Sequence, residues 1–223
     1  MGWQDSKKIK NQYQLWRWFT PIFLHGNLEH IVGNVLAQLF MGSGIEYGIG
    51  FLKMTLLYLI TGFGGNLLSS VMNPAAYGVG ASTAVFGLVG FYVAYIFTNW
   101  QFMGRVGWGQ RIFLIVYTSV MIILNFAKSD PKVDNWGHLG GLITGIFAGF
   151  AIAEWFDAEA RSKERVPDRF TDEEYENKSC CCKFTAKIRL GTIFLFLWLI
   201  TLLVLFYTVV DVNVEQGNID DDT

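Results

Sequence analysis

Long apolar runs separated by short polar segments dominate the hydropathy pattern of the chain. Six of these runs are long enough, at about 20 residues, to cross roughly 30 Å of hydrocarbon as a helix. They span residues 22–43, 51–72, 79–99, 110–127, 134–155 and 190–210. Glycine, histidine and polar residues interrupt the first five runs, whereas the sixth is almost wholly leucine, isoleucine, phenylalanine and valine. The pattern predicts an all-α, polytopic membrane protein: five helices that pack around a polar interior and a sixth that faces lipid.

The runs also divide the chain into regions of different charge. A loop segment, residues 1–21, precedes a five-span core, residues 22–155, and a charged linker, residues 156–189, separates this core from the additional span at 190–210. An acidic tail follows at 211–223. Lysine and arginine are concentrated in the linker, so the positive-inside rule places it in the cytosol and the first segment on the extracellular or luminal side. We therefore expect a multi-pass protein of the plasma membrane or an endomembrane.

Composition narrows the classes of function. Hydrophobic residues make up 52% of the 223 residues and charged residues only 16%, with a formal net charge of −2, so we predict no nucleic-acid partner. The three cysteines are consecutive, Cys180, Cys181 and Cys182, which is too close for ordinary disulfides and lacks metal-ligand spacing. Because they precede the sixth run, palmitoylation and unmodified thiols fit their position equally well. We predict neither a metal site nor a cofactor.

All three histidines, His25, His30 and His138, fall near the start of an apolar run, where an ionisable side chain is costly and often functional. His30 and Asn34 are four residues apart and therefore share one face of a helix. A structural role for this pair, hydrogen bonding between helices, fits the sequence as well as a functional one. Zinc binding is disfavoured because the separation of His25 and His30 does not match the three- or four-residue spacing of helical ligands.

One serine, Ser82, lies in a glycine-rich stretch from Gly78 to Gly90, near the start of the third run. The first, third and fifth runs cross the membrane in the same direction. This topology places Ser82 and His138, each about one turn into its helix, at a similar depth to the His30–Asn34 pair. The shared depth favours a polar site near the outer surface of the membrane.

The fifth run carries a stripe of small residues below His138. Glycines at a spacing of four permit two membrane helices to approach closely. Small residues of the third run are expected to face this stripe, so that His138 reaches Ser82. The stripe consists of Gly141, Gly145 and Gly149, and the facing residues are Gly80, Ala84 and Gly87. The residues thus predict a membrane-embedded serine hydrolase built around Ser82.

Residues 16 to 149 resemble the rhomboid family of intramembrane serine proteases, a family of helical bundles. The sixth run, after the core, resembles the additional span of the eukaryotic secretase-type members. The resemblance rests on motifs in the family order: Trp16-Arg17, the His25…His30…Asn34 string, Gly42…Glu46, Gly64-Gly65-Asn66, Gly80-Ala81-Ser82 and His138-Leu139-Gly140-Gly141…Gly145.

The resemblance implies a role for each matching residue. Ser82 would be the nucleophile and His138 the general base, a dyad without an acid, and the ring of Phe86 would support His138. The side chains of His30 and Asn34, with the backbone N–H of Ser82, would form the oxyanion hole. The other matching residues would be structural supports of the outer loop or of the core: Arg17, His25, Glu46, Gly80, Gly141 and Gly145.

The activity implied by the resemblance is hydrolysis of peptide bonds in or near the transmembrane segments of single-span membrane proteins, within the lipid bilayer. The alternative is a rhomboid-like protein that binds membrane clients without cutting them. Metal-dependent transport is disfavoured because the runs lack the buried carboxylates expected of ion coupling. Neither the substrate nor the oligomeric state follows from the sequence.

Two features depart from the family pattern. Thr83 stands where glycine often follows the nucleophile, and its β-branch is expected to crowd the serine turn. The family also has a membrane span before the loop that contains Trp16-Arg17, whereas residues 1–15 here are polar. We expect either that the chain is truncated at its N-terminus or that a partner supplies the contacts of the missing span. Without that span, we expect an unstable bundle.

Overall fold

The computed structural model describes residues 2–98, 108–127, 133–163 and 181–212. Within these ranges the regular structure is helical, apart from one isolated antiparallel bridge between Gln4 and Gly78. The predicted all-α bundle is therefore confirmed. The helices are α1 (Ser6–Gln12), α2 (Leu28–Ile49), α3 (Phe51–Met72), α4 (Ser82–Thr98), α5 (Trp108–Ala127), α6 (Asn135–Lys163) and α7 (Cys181–Thr208), with two 3₁₀ helices at Leu15–Trp18 and Thr20–Phe23.

Helix α4 lies at the centre of the bundle and is buried along most of its length. It packs most extensively against α6, and α3 packs against both. The glycine stripe of α6 makes this contact close: a Cβ at Gly141 would overlap the carbonyl oxygen of Thr83, and one at Gly145 would overlap that of Gly87. Backbones in such contact hold the beginnings of α4 and α6 in a fixed relation.

The residues of α4 that meet the stripe differ in part from the predicted set. Gly87 faces the stripe as predicted, but Gly80 lies beside His30 and Ala84 faces Gly62 of α3. The prediction was wrong for Gly80 because α4 begins only at Ser82, and for Ala84 because Thr83 rather than Ala84 shares the face of Gly87.

Two apolar clusters fill the bundle. One joins α2, α3, α4 and α6 away from Ser82: Met41, Ile45, Ile49, Leu57, Leu88, Val89, Phe91, Leu142 and Ala148. The other joins residues 2–24, here called the N-terminal segment, to α3 and α7: Ile9, Trp18, Leu67, Leu68, Leu202, Phe206, Val210 and Val212. Close packing of these side chains supplies van der Waals contact between the helices.

Two helical stretches are long and apolar enough to cross a membrane by length and composition, Phe51–Met72 and Leu190–Thr208, and Ser82–Thr98 is a shorter apolar helix. Large apolar side chains are also exposed on the outside of the bundle, among them Phe40, Leu52, Phe97 and Ile200. Exposure of this kind is expected where lipid rather than water surrounds the helices. The total of six spans remains a prediction.

Several helix boundaries differ from the predicted ones, although α3 matches residues 51–72. Helix α2 starts at Leu28 instead of residue 22, because Pro21 lies in a 3₁₀ turn and the Asn27 side chain accepts the His30 N–H at 2.8 Å as an N-cap. It continues to Ile49 and ends at Gly50, whose φ is +81°. The predicted run 22–43 therefore begins six residues before the helix itself.

The loop segment 1–21 and the linker 156–189 are more helical than predicted. The loop segment contains α1 and the two 3₁₀ helices, while α6 continues to Lys163 and α7 begins at Cys181. Both predictions ended helices where hydrophobicity ends, but alanine, glutamate, lysine and arginine favour helix as well. Residues 164–180, with Cys180, and the tail 213–223 lie outside the described residues.

Candidate active site

Ser82 is the first residue of α4, whereas it was predicted to lie about one turn into the helix. Its side chain is half-buried. The preceding loop is fixed by the N–H of Gly80, which donates to the Pro21 carbonyl at 2.9 Å. Gly80 has a φ of +134°, which favours glycine, and a Cβ there would lie 2.7 Å from Cε1 of His30. The absence of a side chain at this position therefore lets the His30 ring and the Ser82 hydroxyl approach the same point.

His138 lies one turn into α6, as predicted, and only 7% of its surface is exposed. Its Nε2 is 2.7 Å from Oγ of Ser82, which is hydrogen-bond distance. The imidazole stacks on Phe86, one turn after Ser82, with ring centroids 4.5 Å apart and an interplanar angle of 15°. One face of the His138 ring is thus held by an aromatic side chain while its edge points at the serine.

Asp134, which precedes α6, is a residue of the site that sequence analysis missed. Its Oδ1 accepts the N–H of Gly137 at 2.8 Å, and its carbonyl accepts the N–H of His138 at 3.0 Å. Ser69 of α3 also hydrogen-bonds the carboxylate. An aspartate just before a helix is an N-cap signal that could have revealed it. The cap ties the start of α6, and with it His138, to α3.

His30 of α2 lies against Gly80, two residues before Ser82, and Asn34 is one turn further along the same face of the helix. His25 packs edge-on against the His30 ring with centroids 5.2 Å apart. Asn34 is only 7% exposed, and its Nδ2 has no hydrogen-bond partner among the described residues. A buried amide donor without a partner is costly, so this one is available to an oxygen atom of a ligand.

Arg17 and Glu46 were both predicted to be supports, and the structure places them differently. Arg17 is buried and donates from Nη1 to the Trp3 carbonyl at 2.8 Å and from Nε to Gln14 Oε1 at 2.6 Å. Both acceptors lie within residues 2–24, so Arg17 links two parts of this N-terminal stretch to each other. The Glu46 side chain is exposed, 12 residues or roughly 18 Å along α2 from Asn34, and makes no side-chain hydrogen bond within the described part of the chain.

Other predicted residues lie away from the serine. Gly141 and Gly145 do not line the Ser82–His138 contact, but they permit the close helix packing that positions it. Cys181 and Cys182 are in the first turn of α7, whose side chains are not described there. The arrangement at the start of α4 therefore consists of a hydroxyl at hydrogen-bond distance from an imidazole, which is the chemistry of an activated nucleophile.

Thr83 does not crowd the serine turn as expected, because glycines of the neighbouring helices leave it space. Thr83 is buried, and Cβ atoms built on Gly65 and Gly137 would lie 2.8 Å from its Cβ and 2.9 Å from its Cγ2. Residue 137 precedes His138, so the size of residue 83 and the placement of the imidazole are coupled. A β-branched side chain after the serine is accommodated by the missing side chain on α6.

We expect Gly137→Ala to slow labelling of Ser82 by a fluorophosphonate about tenfold, because small displacements of a catalytic group are costly. Thr83→Ala in the Gly137→Ala background should restore part of the rate, since it removes the Cγ2 atom in the way. The recovery is partial because the new methyl group also meets Asp134. Thr83→Ala alone is the control, and rates that multiply independently in the double variant would contradict the coupling.

Comparison with known proteins identifies the same family that the sequence motifs resemble. The family model of the Rhomboid domain matches residues 12–155. RHOMBOID-like protein 1 of Arabidopsis thaliana is 40% identical over 154 residues, which cover 68% of this chain and 38% of that protein. Rhomboid-like protease 1 of Toxoplasma gondii is 37% identical over 155 residues, 68% of this chain and 50% of its own length.

A third relative matches more of this chain. Rhomboid-like protease 5 of Toxoplasma gondii is 29% identical over an alignment of 254 residues that covers 93% of this chain and 29% of that protein. The chain thus spans well under two thirds of the length of these relatives. The family match nevertheless covers more than half of the chain and includes both Ser82 and His138. The protein is therefore a membrane protein that belongs to the rhomboid family.

Proposed function

We propose that this protein is an intramembrane serine endopeptidase that cleaves single-span membrane proteins in or near their transmembrane segments. The observation that carries the proposal is the 2.7 Å contact between Ser82 Oγ and His138 Nε2, with the imidazole stacked on Phe86. A serine hydroxyl is a weak nucleophile until a base accepts its proton, and a positioned histidine is suited to that task near neutral pH.

The proposed reaction has two halves. Ser82 Oγ attacks the carbonyl carbon of the scissile peptide while its proton passes to His138 Nε2. The imidazolium then gives this proton to the amine as the C–N bond breaks, which leaves an ester on Ser82. A water molecule, deprotonated by His138, hydrolyses the ester and returns the proton to the serine.

The negative charge that develops on the carbonyl oxygen needs donors placed in advance. The unpartnered Nδ2 of Asn34, the ring of His30 and the backbone N–H of Ser82 are the proposed donors. The first N–H groups of a helix have no partner within that helix, and Ser82 occupies such a position. Each donor of this kind contributes on the order of a hundredfold or more in rate.

The position of Ser82 favours substrates whose helix opens near the membrane surface. Ser82 lies at the end of the bundle where α4 begins, here called the Ser82 end, and is half-buried rather than sealed within the core. A peptide bond inside an intact helix is shielded by its own hydrogen bonds and side chains, so it must unwind before Oγ can reach it. Transmembrane segments with glycine or other weak helix formers near that surface are therefore the preferred substrates.

The test is cleavage in a defined membrane. The purified 223-residue chain is reconstituted into phosphatidylcholine liposomes with a single-span reporter that carries a Gly-Ala pair near one membrane surface. We expect a single cut at that pair, and a reporter with leucine in both positions should be cut at least about tenfold more slowly. A reporter that co-purifies with folded protein and stays intact would contradict the proposal and indicate a rhomboid-like binding protein.

A further inference from the structure

Helix α7 lies outside residues 12–155, which match the family, yet it is packed into the bundle. Trp198 Nε1 donates to Thr144 Oγ1 of α6 at 3.0 Å, and a Cβ on Gly191 would lie 2.7 Å from the backbone nitrogen of Ala151. From Leu190 onward, the exposed side chains of α7 lie on one face, which includes Phe196 at 61%. The prediction that the sixth run simply faces lipid was therefore wrong for its other face.

The last turns of α7 and the residues after it hold the N-terminal segment. Phe206 is completely buried, and its ring meets that of Trp18 edge-on with centroids 5.2 Å apart. Ile9, also completely buried, belongs to the same cluster as Val210. Lys10 Nζ donates to the Val210 carbonyl at 2.5 Å. Apolar and polar contacts thus join the N-terminal segment to α7 at the Ser82 end.

The N-terminal segment in turn holds the loop that precedes Ser82. Trp18 donates from Nε1 to Ser70 Oγ at 3.0 Å, and its carbonyl accepts the side-chain amide of Asn66 at 2.8 Å. Three residues later, the Pro21 carbonyl accepts the N–H of Gly80 at 2.9 Å. The chain of contacts from Phe206 therefore reaches the residue two positions before the serine.

We propose that α7 is a positioning element of the active site, which acts through the N-terminal segment on the loop that carries Gly80 and Ser82. Its effect on hydrolysis rests on the proposed function, whereas its effect on the N-terminal segment does not. Phe206 is the key side chain, because its completely buried ring contacts Trp18. The additional helix then helps to position the active site, besides lying in the lipid bilayer.

The test compares Phe206→Ala with Phe196→Ala in the full chain. Both substitutions remove a phenyl ring from α7, but Phe196 is on the exposed face and makes the matched control.

The first measurement is hydrogen–deuterium exchange of residues 2–24 and of the loop before Ser82, in detergent micelles. The second is the rate of Ser82 labelling by a fluorophosphonate. We expect Phe206→Ala to speed exchange in both regions at least about tenfold and to slow labelling at least fivefold or so. Phe196→Ala should change neither.

Each outcome decides the proposal. Unchanged exchange in folded Phe206→Ala protein, or equal effects of both substitutions, would show that α7 does not hold the N-terminal segment. Faster exchange with unchanged labelling would show that the segment does not position Ser82. If even the unmodified chain fails to label, the proposed function is wrong, and the exchange comparison still decides whether α7 holds the segment. Should Phe206→Ala fail to fold, Phe206→Leu replaces it, with the same expectations at smaller size.

Discussion

Ser82→Ala and His138→Ala are each expected to reduce peptide hydrolysis at least about a thousandfold. Ser82→Ala removes the atom that attacks the carbonyl, and His138→Ala removes the base 2.7 Å from it. Because the two side chains act as one unit, the double variant should be no worse than either single variant. The measurements are cleavage of the single-span reporter in liposomes and covalent labelling by a fluorophosphonate.

The control for these substitutions is Ser43→Ala. Ser43 is an exposed serine of α2 whose hydroxyl donates to the Leu39 carbonyl at 2.6 Å, so its loss removes a hydroxyl from a helix without touching the site. We expect it to label and cleave at the unmodified rate. Substantial labelling of folded Ser82→Ala protein would identify a different nucleophile and overturn the assignment.

The fold class could be predicted from the lengths of the apolar runs, and the Ser82–His138 pair from the direction in which two of these runs cross the membrane. Repeated runs of about 20 apolar residues indicate membrane helices, because lipid leaves backbone groups no partners outside the helix. The pairing of Ser82 with His138 followed from a similar depth and from the glycine stripe, and the structure shows that the stripe indeed meets α4 at Gly87. The catalytic roles of Ser82 and His138, in contrast, followed from the resemblance to the rhomboid family.

The inward face of α7 could not be predicted in this way. Leucine and phenylalanine suit contact with lipid and contact with other helices equally well, so hydropathy does not tell one from the other. Phe196 and Phe206 have the same side chain, yet one is 61% exposed and the other is completely buried against Trp18. The difference depends on the N-terminal segment, which is distant in sequence and meets α7 only in the folded bundle.

The start of α4 was misplaced for a related reason. Val79 and Ala81 extend the apolar run into the loop, so hydropathy gives no sign that the helix begins at Ser82. The deciding contacts are the hydrogen bond from Gly80 to Pro21 and the fit of the His30 ring over Gly80, both with residues far away in the chain. Asp134, in contrast, could have been predicted, since an aspartate just before an apolar run is an N-cap signal in the sequence.

Gly145→Ala is expected to destabilise the bundle and to slow labelling of Ser82 strongly. A Cβ at this position would overlap the carbonyl oxygen of Gly87 and lie 2.7 Å from its carbonyl carbon. The obstacle is backbone, so no side chain can turn aside, and α4 and α6 must separate. Overpacking of this kind costs about 1–3 kcal/mol, more than the roughly 1 kcal/mol that alanine gains over glycine in helix propensity. Because His138 lies in the first turn of α6, the separation also increases its distance from Ser82.

The matched control for Gly145→Ala is Gly33→Ala. Gly33 lies inside α2 with nothing within 4 Å of a built Cβ, so the same substitution there tests helix propensity without a clash. We expect Gly33→Ala to leave the melting temperature in detergent unchanged or slightly raised, and Gly145→Ala to lower it. At this chain length each kcal/mol corresponds to about 2–4 °C. Equal melting temperatures and labelling rates for both variants would show that α4 and α6 are not in backbone contact, and the distance from His138 to Ser82 would then need another explanation.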